Sequence, residues 1–187
     1  MMQSVAEFIP FFAQKAAPLR GLYKKERFRW EAHLQSCFTS LLSEFKKDIL
    51  LRYIELSKPI FIFTDAHKSG IGAILAQGDS IETALPVAVA SRTTTESEKN
   101  YPQIDLEGLG IDYALHRFRN YLVGAPNTVT IITDHKPLCA VFNGNKSGTI
   151  RTERYKQRNQ DIKFKVIYQT GKNNQTDFLS RRAIYQL

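Results

Sequence analysis

Four acidic residues carry the chemistry legible in this chain of 187 residues. Two of them close apolar runs in the same way, Phe63-Thr64-Asp65 and Ile132-Thr133-Asp134. Glu107 interrupts an apolar stripe that continues at helical spacing through Ile111, Ala114 and Phe118, and Asp177 follows the last strand-like stretch. An acid on an apolar stripe must be paired or must bind a cation. Two carboxylates ~4 Å apart repel by about 4 kcal/mol at an effective dielectric near 20, so three or four brought together raise one another's pKa values unless a cation sits among them. Oxygen donors without His or Cys select Mg²⁺, with Mn²⁺ as the alternative, over Zn²⁺. Two such ions roughly 3.5–4 Å apart suit in-line phosphodiester hydrolysis. Plainer roles stay open for each acid: turn residue for the strand-end Asp, helix cap for Asp177, and a solvated helix face for Glu107, beside Asp105 and Asp112.

Periodicity supplies the elements that must position these acids. Leu34, Phe38, Leu41 and Phe45 fall at i, i+4, i+7 and i+11, one helical stripe. The texture changes near Ser57-Lys58-Pro59, which sets the boundaries 1–58 for a helical segment, 59–182 for a domain and 183–187 for a tail. Strands are predicted over Ile60–Asp65, Gly70–Gln77, Pro86–Ser91, Val129–Asp134 and Lys163–Gln169, the last with Phe164, Val166 and Tyr168 on one face. Thr95 and Glu98 have capping-box spacing, a long helix is predicted over Gln103–Leu122, a short one over Pro137–Phe142, and a polar one over Thr149–Gln160. Three strands in a meander, a crossover helix and a further strand imply an α/β fold: a mixed five-stranded sheet flanked by helices, with the fourth strand parallel to the first. That pairing brings Asp65 and Asp134 together at the carboxyl ends of neighbouring strands, where sites gather in such sheets.

The formal net charge of +8 favours a polyanionic partner, nucleic acid above all. Arg151, Arg154, Lys156 and Arg158 on the polar helix are the candidate phosphate contacts. Two cysteines, Cys37 and Cys139, form no CxxC pair, which fits a reducing compartment. No run of 18 apolar residues occurs in the sequence, so no membrane partner is expected.

Several blocks resemble the ribonuclease H domain of gypsy-type LTR retrotransposon Pol polyproteins, in family order and spacing over Pro59–Arg182. They are Thr64-Asp65-Ala66 with Gly70–Leu75, Pro86–Arg92, Asn100-Tyr101 with Glu107–Ile111, Phe118–Leu122, Thr133–Leu138, and Gly171–Asn174 with Asp177–Arg181. Phe8-Ile9-Pro10, Ala16–Leu19, Lys24-Lys25 and Phe28–Trp30 resemble the end of the preceding reverse transcriptase. The resemblance implies an RNase H-like fold behind a small helical reverse-transcriptase tail. It implies a catalytic, metal-binding set of Asp65, Glu107, Asp134 and Asp177, and Mg²⁺-dependent endonucleolytic cleavage of the RNA strand of an RNA–DNA hybrid. The expected partners are that hybrid and the polymerase part of the parent polyprotein. The expected location is intracellular and cytoplasmic, in a virus-like particle if the element is active. No Asp-Asp pair of a polymerase site occurs in the chain.

Departures from the family pattern are His67 where Ser is common, Lys68 where an acid is common, and the weak helix formers Gly108 and Gly110. No His lies between His135 and Asp177, where cellular and retroviral relatives carry one. The alternative function is a non-catalytic nucleic-acid-binding or scaffold module from a decayed or domesticated element.

Overall fold

Ile60-Phe61-Ile62-Phe63 is apolar on both faces of an extended chain, as a strand covered on both sides must be. In the computed structural model, which describes residues 12–24, 29–45, 53–55 and 57–170, this run forms the middle of a five-stranded sheet. β1 (Ile60–His67), β2 (Gly70–Gln77) and β3 (Leu85–Arg92) make an antiparallel meander. β4 (Val129–Thr133) pairs parallel to β1, and β5 (Phe164–Tyr168) parallel to β4, giving the order β3-β2-β1-β4-β5. This is the mixed sheet that the element order predicts.

The helices are α1 (Phe12–Lys15), α2 (Ala17–Arg20), α3 (Ala32–Phe45), α4 (Gln103–Arg117), α5 (Arg119–Leu122), α6 (Lys136–Phe142) and α7 (Ile150–Arg158). The main core joins Ile60, Ile62, Leu75, Ile131 and Val166 of the sheet to Leu106, Ile111, Leu115 and Phe118. The alternate residues Phe61 and Phe63 of β1 form a second cluster with Ile74, Val89 and Ile132, as a period of two requires.

Several sequence expectations need correcting. The helix expected over Gln103–Leu122 ends at Arg117: Phe118 takes φ −96° and ψ 9°, the bridge region, and a separate turn, α5, follows. The apolar stripe persists through this break, with Phe118 and Leu122 both in the core, so spacing alone does not reveal it. In α3, Leu34 and Leu41 are buried, but Phe38 is exposed and meets Trp30 edge-on at 6.1 Å. The inward line runs instead through Leu34, Cys37 and Leu41, which among the described residues pack with Phe12, Ala16, Leu19 and Leu22. Tyr168 is exposed although Phe164 and Val166 reach the core, since β5 is an edge strand. The Thr95–Glu98 capping box forms, with Thr95 N–H donating to Glu98 Oε2 at 2.8 Å and Glu98 N–H to Thr95 Oγ1 at 3.3 Å. It opens a short 3₁₀ turn at Glu98–Asn100 rather than the long helix.

The helical segment docks on the sheet. Ala13 N–H donates to Ser91 Oγ of β3 at 2.9 Å. The expected 58/59 boundary is crossed by Gln77, whose side chain accepts from Glu55 N–H and donates to Glu55 O, each at 2.8 Å.

Two buried acids clamp α7 to α4. Asp105 pairs with Arg151 at 3.0 Å and accepts from Thr149, the N-cap of α7. Asp112 pairs with Arg158 at 3.2 Å and accepts from the buried Asn159 amide at 2.9 Å. A hydrogen bond to a charged group contributes roughly 1.5–3 kcal/mol. Asn159→Ala is therefore expected to lower stability by about 2 kcal/mol in urea unfolding; a loss under about 0.5 kcal/mol, the range of an ordinary surface substitution, would contradict the clamp.

Candidate active site

Three of the four acids lie within electrostatic reach of one another near the carboxyl ends of β1 and β4. The parallel register pairs Phe63 with Ile132, so two residues further along Asp65 comes level with Asp134. Asp65 is half-buried at the end of β1, and Asp134 is exposed in the turn that follows β4. Glu107 reaches them from α4, which crosses β1 closely because Gly110 has no side chain. A Cβ there would lie 3.1 Å from Ala66 Cβ, and one at Gly108 would lie 3.0 Å from Thr152 Cγ2 of α7. The two glycines that weaken the helix by propensity are thus the points where it approaches β1 and α7. Asp177 lies outside the described residues.

Glu107 is 4% exposed. Its Oε1 accepts from Gln103 Nε2 at 2.7 Å, while Oε2 is buried and, among the described residues, makes no full hydrogen bond, with the backbone N–H of Ala66 near enough to favour the charged carboxyl slightly. Burial first, then the carboxylates of Asp134 and Asp65, push its pKa up to about 8. Burial also raises the pKa of Asp65, opposed by His67, whose Nε2 lies 3.0 Å from Asp65 Oδ1, and reinforced by Asp134. Sequence reasoning did not assign these contacts of Gln103 and His67, although Gln103 precedes Glu107 by the four residues that make helix neighbours. Asp105, the other acid at the start of α4, is neutralised by Arg151 and Thr149, which leaves Glu107 as the uncompensated one. His135 stands at the start of α6 with Nδ1 buried and unpartnered.

Among the described residues, no three His, Cys, Asp or Glu side chains are gathered closely enough to form a ready metal-binding group. The donor chemistry still fits a hard divalent cation. Oxygen ligands predominate, and Glu107 Oε2 is a buried acceptor without a full hydrogen bond, in a place where neighbouring negative charge raises the cost of ionising it.

The four candidate phosphate contacts differ. Arg151 pairs with Asp105 and stacks over the Tyr101 ring at 4.3 Å, Arg158 pairs with Asp112 and lies over Tyr155 at 5.1 Å, and Lys156 pairs with Glu153 at 3.3 Å. Arg154 is exposed and makes no ion pair among the described residues.

Residues 55–161 match the family model described as the RNase H-like domain found in reverse transcriptase. The chain belongs to that family. Among curated proteins it is 37% identical over 186 residues to the retrovirus-related Pol polyprotein from transposon 412 of Drosophila melanogaster, covering 96% of this chain and 14% of that protein. It is 32% identical over 195 residues to the Pol polyprotein from transposon gypsy of the same species, covering 96% and 18%. The chain thus spans less than a fifth of the length of these relatives, and it is similar to the corresponding part of gypsy-type LTR retrotransposon polyproteins. Among solved structures, a foamy viral protease-reverse transcriptase in complex with double-stranded DNA superposes with a TM-score of 0.70 at 13% identity, covering 91% of this chain and 38% of that one. The fold is RNase H-like. No helix among the described residues is long and apolar enough to cross a membrane.

The raised pKa of Glu107 has a consequence for stability. A carboxyl raised from 4.5 to about 8 binds its proton more tightly when folded, so its contribution is fully present below pH about 4.5 and is lost as pH rises through about 8. In EDTA, Glu107→Gln is expected to match the wild type near pH 4.5 and to exceed it at pH 9 by on the order of 5 kcal/mol. Parallel denaturation curves at the two pH values would show this, and equal stability at pH 9 would contradict it.

Proposed function

We propose that the chain is a retrotransposon ribonuclease H that hydrolyses the RNA strand of RNA–DNA hybrids endonucleolytically, within a reverse transcriptase polyprotein. The observation that carries this reading is the buried Oε2 of Glu107, without a full hydrogen bond, beside Asp65 and Asp134. In this reading Asp65, Glu107, Asp134 and Asp177 hold Mg²⁺, with Mn²⁺ as a substitute. Bound divalent cations of this kind activate a water and stabilise the leaving oxygen. The protein's part is geometric: the β1–β4 pair holds Asp65 and Asp134 level, and α4 keeps Glu107 in a dry setting where its charge is fully felt. The hybrid is the proposed nucleic-acid partner, the polymerase part of the polyprotein the proposed protein partner, and the cytoplasm of the host cell the proposed location.

One observation favours the second reading, a non-catalytic nucleic-acid-binding or scaffold module: the acids do not form a ready metal-binding group among the described residues. Incubating a labelled hybrid with Mg²⁺ separates the two. The nuclease reading expects metal-dependent cuts in the RNA strand, reduced in Asp134→Asn by more than about 100-fold, beyond the loss that an outer contact causes. Tight hybrid binding without any cutting would overturn it in favour of the scaffold.

Arg154, exposed and without an ion pair among the described residues, is the proposed phosphate contact of α7, whereas Arg151 and Arg158 are engaged by buried acids. Arg154→Ala is expected to lower the slope of log affinity against log salt by about 1. Arg158→Ala is expected to lower stability and leave that slope unchanged, and an unchanged slope in Arg154→Ala would contradict the assignment.

A further inference from the structure

Two side chains outside the acidic set each hold one oxygen of a site carboxylate. Gln103, the first residue of α4, donates from Nε2 to Glu107 Oε1 at 2.7 Å across one helical turn. His67, the last residue of β1, places Nε2 3.0 Å from Asp65 Oδ1. Both donors come from the surface and both acids are more buried than their donors. The arrangement is the same on the strand and on the helix, although no element is shared. The His67 contact acts on Asp65 through both charge and hydrogen bonding.

The two contacts act on side-chain geometry. A Glu has three rotatable bonds, and fixing Oε1 removes most of the freedom of the carboxylate plane. What remains is Oε2, buried and without a full hydrogen bond. A ligating carboxylate that is itself hydrogen-bonded binds metal better, because its orientation is set before the ion arrives. Neither residue contributes to the core: Gln103 and His67 are both exposed, and no buried cluster includes them.

We propose that Gln103 and His67 are positioning residues for the acidic site. Each occupies one oxygen of a carboxylate, Glu107 Oε1 and Asp65 Oδ1, and so presets the remaining oxygen for a divalent cation. The inference rests on the reading of the acids as metal ligands. The donors do not ligate the cation and take no part in bond breaking; they restrict where the ligands point.

Calorimetric titration of the full chain with Mn²⁺ in the absence of nucleic acid tests this, with melting temperature followed alongside. Gln103→Met keeps side-chain length and removes the donor; His67→Leu removes the imidazole. Each is expected to weaken Mn²⁺ binding by about tenfold with the melting temperature unchanged. His67→Gln, which keeps an N–H donor, is expected to retain wild-type affinity, a rescue that a role in packing would not give. Mn²⁺ binding that Asp65→Asn weakens but Gln103→Met and His67→Leu both retain would overturn this inference alone. A wild-type chain that takes up no Mn²⁺, or whose uptake is indifferent to Asp65→Asn, would overturn the metal-site reading and this inference with it.

Discussion

Carboxylates resist being brought near one another, and this chain sets three within electrostatic reach, with Glu107 buried, Asp65 half-buried and Asp134 exposed. Asp65 and Asp134 are delivered by adjacent parallel strands, and Glu107 is pressed towards them by a helix that lies on β1. Burial and mutual repulsion raise the pKa values of Glu107 and Asp65, so the metal-free fold carries the cost of the arrangement in its proton affinity. A divalent cation would relieve that cost by replacing the proton as the compensating charge. The charge that destabilises the free protein is the charge that would bind the ion, an instance of stability yielding to function at a site.

The rest of the fold can be understood as what keeps this arrangement from relaxing. α4 could back away from β1 and separate the acids, but the cores on its buried face and the absence of a side chain at Gly110 favour close approach. α7 holds the other side of α4 through two buried acids, Asp105 and Asp112, each matched by an arginine. Four acids are thus handled in two ways within a few turns of helix and strand: Asp105 and Asp112 are each paired with an arginine, whereas among the described residues Asp65 has only His67 beside it and Glu107 has no ion pair. That contrast separates structural acids from candidate ligands without reference to any relative.

Much of this was legible in the residues. Short apolar runs marked the first strands and alternation marked the last, and the crossover helix implied the parallel β1–β4 pair that aligns Asp65 with Asp134. Glu107 stood out because an acid broke an apolar stripe. Less legible was anything decided by a single backbone conformation or by tertiary partners. The break at Phe118 leaves the helical spacing intact. Phe38 satisfies the α3 stripe yet is exposed, while Leu34 and Leu41 are buried. The polar helix looked uniformly available to phosphates, but Arg151 and Arg158 are taken by acids 46 residues earlier in the sequence in each case, a pairing that local reading does not reach. Gly108 and Gly110 looked like weaknesses of a helix until their neighbours were known.

If Asp65, Glu107 and Asp134 hold a divalent cation, an anomalous-difference map from crystals of the full chain grown with Mn²⁺ is expected to show density bounded by these three carboxylates, with Glu107 Oε2 among the ligands. A map without a peak there would contradict that reading.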